Sequence, residues 1–117
     1  MDQTIREIMA RRRLESKPEA ERFAEECKAK LRTLADIPTI YIMTVTVKTS
    51  PMASESLVSM NVANHKEFNH SLPKGKCNDA TAAFNAVCKM LISEGFSEDK
   101  VPAYKECPFM KTFSVVV

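Results

Sequence analysis

The chain has 117 residues, 44% of them hydrophobic and 27% charged, with a formal net charge of +2. That is enough chain for one core without disulfide or metal support, and too apolar for global disorder. Two glycines exclude a long flexible linker, and so small a charge excludes a protein that holds nucleic acid by its overall field.

Met1 to Leu14 carries charges throughout and has no apolar run of the signal-peptide kind. No stretch approaches the roughly 20 apolar residues that span a bilayer. The expectation is a cytoplasmic protein with no membrane partner. Its cysteines, Cys27, Cys77, Cys88 and Cys107, are then expected to be reduced.

Residues 3–15 have a helical pattern, with Asp2 as cap and Ile5, Ile8, Met9 and Leu14 as a narrow apolar stripe. Ser16 with Glu19 forms a capping box, and Pro18 suits a first turn. A break is therefore expected at 16–18, then a second helix over 18–35. Ala20, Phe23, Ala24, Cys27, Leu31 and Leu34 would face its core. Pro38 ends it.

Thr39 to Thr49 is dense in β-branched residues and reads as a strand, with Tyr41, Met43, Val45 and Val47 on one face. A loop over 50–55 leads to a strand over 57–63, with Val58, Met60 and Val62 inward. Asn64-His65-Lys66 turns the chain into a third strand over 67–72. The clearest helix covers 79–94, with Ala80, Phe84, Val87, Cys88 and Leu91 on one face. Asn78 or Asp79 caps its start, and Gly95 with Phe96 closes its end. Ser97 to Lys100 reads as a short cap, and 111–117 as a last strand.

The expected fold is α+β: an antiparallel β-sheet of about four strands packed against one long helix, with an N-terminal helical pair. One domain spans 1–117, with 1–16 as a helical arm and 17–117 as an α-β-β-β-α-β core.

Chemistry concentrates before the 79–94 helix. Lys74, Gly75 and Lys76 precede Asn78 and Asp79. A helix N-terminus offers unpaired N–H groups and about half a positive charge. Two lysines there make an anion site, although Asp79 works against one. This is not a P-loop, because Cys77 follows Gly75-Lys76. A solvated turn needing only a glycine explains the same residues. Arg11-Arg12-Arg13, with Arg6, forms a basic run that reads equally as a solvated helix end. His65, His70 and Cys77 lack metal-ligand spacing. A Cys77–His70 nucleophile pair lacks any residue to orient its base. Met43 and Met60 read as core filler, and Met52 as an exposed contact.

From the second helix onward the order α-β-β-β-α, over about residues 18–95, is similar to that of the double-stranded-RNA-binding domain. That family places lysines at the start of its second helix, where Lys74 and Lys76 stand here. Asn78 and Asp79 replace its further lysines, its glycine-proline-histidine loop is absent, and an extra strand follows. The resemblance implies duplex RNA as one possible partner.

The leading expectation is a small non-catalytic binding protein that captures an anionic, nucleotide-like ligand. Lys74, Gly75, Lys76, Asn78, Arg12 and Arg13 are its ligand-binding candidates. A viral or bacterial accessory protein that sequesters a signalling molecule would fit. The alternatives are a protein-contact inhibitor of a larger host or defence complex, and an RNA binder. No catalytic residue, metal or cofactor is assigned. A homo-oligomer is expected, most simply a dimer burying 113–117 or the first helix.

Overall fold

The structure, a computed structural model, describes residues 3–49, 56–73, 79–99 and 110–117. The expected loop over 50–55, the expected turn over 74–78 and residues 100–109 lie outside them.

Helix α1 runs from Ile5 to Ala35 as one element of 31 residues, about 46 Å long at 1.5 Å per residue. The expected helical pair is thus one helix. Thr4 caps it, its hydroxyl accepting from the Glu7 backbone N–H at 3.2 Å. Pro18 sits inside. A proline there removes the bond to the carbonyl four residues earlier, that of Leu14. Leu14 and Pro18 both lie on the exposed side, where water can satisfy that carbonyl. The buried side of α1 starts one turn before the proline at Ser16 and continues through Ala20, Phe23, Cys27, Leu31 and Leu34.

The sheet has five antiparallel strands rather than about four. They are β1 (Ile42–Thr49), β2 (Ser56–Val62), β3 (His70–Pro73), β4 (Ser97–Glu98) and β5 (Met110–Val116). Their spatial order is β3-β2-β1-β5-β4. Asn64 takes φ 66° in the turn after β2. Phe68 then closes a single 3-10 turn (Lys66–Phe68), so the third strand is shorter than expected. The stretch from Ser97 to Glu98 is a strand, not a cap. The last strand lies between β1 and β4.

Alternation decides the faces. Val45 and Val47 of β1 pair in register with both β2 and β5, and Met43 with β5; all three turn inward with Val58, Met60, Val62 and Phe113. Tyr41 was expected on that inner face but is 70% exposed, because it precedes β1. The outer face carries hydroxyls: Thr44 Oγ1 lies 3.1 Å from Ser114 Oγ, and Thr46 Oγ1 lies 3.4 Å from Thr112 Oγ1.

Helix α2 (Ala80–Ser93) lies over β1 and β2, and α1 packs beside it. Ala83, Phe84, Val87, Met90 and Leu91 are its buried side. Its end has Gly95 at φ 98°, with the Gly95 N–H donating to Ile92 O and the Phe96 N–H to Leu91 O. That pair of bonds is the Schellman closure, and Phe96 folds back into the core. The two helices run parallel: Arg13 meets Asp79 at the start of α2, and Arg32 meets Glu94 at its end.

Candidate functional site

Asp79 is the N-cap of α2 and only 2% exposed. Its Oδ1 accepts from the Ala82 backbone N–H at 2.9 Å. Its Oδ2 lies 3.4 Å from Arg13 Nε and 3.8 Å from Arg12 Nε. Consecutive helical side chains diverge by about 100°, so the two arginines straddle the carboxylate. Arg11 turns away and pairs with Glu15 on its own helix.

The structure therefore brings Arg12 and Arg13 to the start of α2, against the protein's own Asp79. Lys74, Gly75, Lys76 and Asn78 lie outside the described residues. The protein's own carboxylate already answers the helix dipole there.

The first half of α1 extends past the core. Ile5 is 77% exposed and Leu14 70% exposed, and Ile8 and Met9 are more than a third exposed. Ile5, Ile8 and Met9 lie on the side of α1 that Ser16 and Ala20 carry into the core, with Arg12 and Arg13 between them. The narrow stripe was legible in the sequence, where burial of the first helix in a dimer is one expectation.

An open groove of about 640 Å³ runs between α1 and α2. Leu14, Ala24, Ala86 and Met90 contribute its apolar surface. A smaller cavity of about 240 Å³ lies beside β3. There the His70 ring stacks on Phe23, with centroids 5.1 Å apart, and His70 Nε2 lies 2.7 Å from Glu26 Oε2. His70 is thus engaged by α1, while Cys77 lies outside the described residues.

Burial pushes the Cys27 thiol up to about 12 and the Cys88 thiol up to about 11. Both are protonated at neutral pH and poor nucleophiles. Neither is in a disulfide. Among the described residues no group of three His, Cys, Asp or Glu side chains could hold a metal ion, and no helix is long and apolar enough to cross a membrane.

No protein-family model, curated protein or solved structure matches this chain. The likeness to the double-stranded-RNA-binding domain remains one of element order, with β4 and β5 added.

Proposed function

We propose that this protein is a non-catalytic binding module that acts by contact with an acidic protein partner, gripped by the first half of α1. One observation carries the reading: Ile5, Ile8 and Met9 extend the core stripe of α1 beyond every described element that could cover it. An isolated helix this short is marginal in water, and it is held here by the anchored half of α1. Arg6 stands beside the stripe, and Arg12 and Arg13, which hold Asp79, stand at its inner end. An apolar face flanked by arginines suits an acidic amphipathic surface.

Selection of a displayed helical-peptide library on the full chain tests this. Acidic amphipathic sequences should be enriched, and Ile8→Glu with Met9→Glu should abolish their capture. Binders that ignore that double variant would place the contact elsewhere.

A second reading, capture of an anionic nucleotide-like ligand, is favoured by Arg12 and Arg13 meeting at the start of α2. Calorimetry against mono-, di- and cyclic nucleotides would support it if Arg12→Ala with Arg13→Ala weakens binding by about tenfold. Equal affinity of the double variant, or no binding at all, removes it.

A further inference from the structure

We infer that the first half of α1 is a hinged arm, pivoting over residues 14–18 and latched to α2 by Arg12 and Arg13 on Asp79. Its release by an acidic partner rests on the protein-contact reading above; the hinge and the latch do not.

The pivot lies where cover ends. Residues 3–15 are all exposed, and burial begins at Ser16. Pro18 stands at the same place and leaves the Leu14 carbonyl without its helical bond. Sharp bends in helices concentrate at such prolines. From Ser16 out to Ile5 the arm reaches about 16 Å, at 1.5 Å per residue. A change of angle at the pivot therefore moves Ile5, Ile8 and Met9 together.

The latch fixes that angle. Among the described residues, the arm's polar contacts with other elements are those of Arg12 and Arg13 with Asp79, at 3.8 and 3.4 Å. Arg11 pairs with Glu15 and Thr4 with Glu7, both within α1 and its cap. The two sides of the latch are held differently. Asp79 is buried and fixed to α2 by the bond it accepts from the Ala82 N–H. Arg12 and Arg13 are half-exposed and ride on the arm. Opening strips a buried carboxylate of two cations, so the latch stays closed at rest. An acidic surface that takes both arginines offsets that loss, and its binding favours the open arm.

Residual dipolar couplings of the backbone amides, measured on the full chain, report the direction of each half of α1. In the free wild type, residues 5–14 and 20–34 should fit one alignment. Arg12→Gln with Arg13→Gln opens the latch without touching the α2 cap. Couplings over 5–14 should then shrink by about half or more, as the arm samples many directions, while 20–34 stays unchanged. Adding Pro18→Ala to that pair stiffens the pivot and should restore them. Cα chemical shifts over 5–14 should stay helical in every variant.

Unchanged couplings in the double arginine variant overturn the latch. Couplings that stay small after Pro18→Ala overturn the pivot, and coil-like Cα shifts over 5–14 overturn a swinging helix. The release is probed with a stapled helical peptide that has leucines on one face and glutamates on both flanks. Bound to wild type, it should turn residues 5–14 away from the alignment of 20–34. Binding with the arm unmoved overturns the release alone. Failure of the peptide to bind counts against the contact reading, while the couplings of the free chain still decide hinge and latch.

Discussion

Arg32 and Glu94 clamp the last turn of α1 to the end of α2. Arg32 Nε lies 2.6 Å from Glu94 Oε1, and Nη2 lies 3.1 Å from Oε2. This is the two-pronged geometry that fixes orientation as well as distance. With Asp79 held by Arg12 and Arg13, α2 is tied to α1 at both of its ends.

The clamp predicts an acid dependence. Hydrogen bonding to Arg32 holds the Glu94 carboxyl below its ordinary value. A carboxyl lowered in the folded state contributes stability that is complete above its unfolded pKa, about 4.3. That contribution fades as pH falls through the lower folded value. Thermal melting from pH 7 to 2 should show wild type above Arg32→Ala at neutral pH, with the gap closing in acid. A gap independent of pH would mean that the pair contributes nothing through charge. Because both groups face solvent, salt should also narrow it.

Pro18→Ala should stabilise the protein by about 1 kcal/mol or more, since it restores a helical bond and removes a clash inside α1. Far-ultraviolet circular dichroism with urea unfolding measures this. A loss of stability would show that the proline supports a break between two helices instead.

The limits of the sequence reading are physical. Stripe spacing showed the buried side of α1 from Ala20 to Leu34, and alternation showed the inner faces of β1 and β2. Gly95 and Phe96 were legible because a left-handed closure leaves a sequence signature. Ser16, Pro18 and Glu19 misled, because a capping box looks the same within a helix as at its start. The meeting of Arg12 and Arg13 with Asp79 depends on helices joined through the sheet, which no local pattern encodes. Of the anion site itself, Lys74, Gly75, Lys76 and Asn78 fall outside the described residues.

Asp79→Ala should destabilise by about 2 kcal/mol, the upper range for losing a helix cap, because the carboxylate is buried against the Arg13 guanidinium as well. Asp79→Asn keeps a capping oxygen and should cost less. Equal losses in urea unfolding would assign the effect to charge instead of the cap.

Cys27 should resist alkylation in the folded chain and react only on unfolding, since it is fully buried with its thiol pushed up to about 12. A thiol raised in the folded state contributes stability that is full below the ordinary value of 9.0. That stability is lost as pH rises from there toward about 12. Melting temperature should therefore fall above pH 9, and fall less steeply in Cys27→Ala. Prompt alkylation of Cys27 at neutral pH would contradict its burial.

The bare stripe on α1 is the central claim, and hydrogen exchange on the full chain tests it most directly. Amides over residues 5–15 should exchange much faster in the free protein than those over 20–34, which the core holds. A selected acidic helical peptide should slow exchange over 5–15 in wild type and leave it unchanged in Ile8→Glu/Met9→Glu. If 5–15 is already as protected as 20–34 in the free chain, something covers the stripe, and the account of an arm waiting for a partner is wrong.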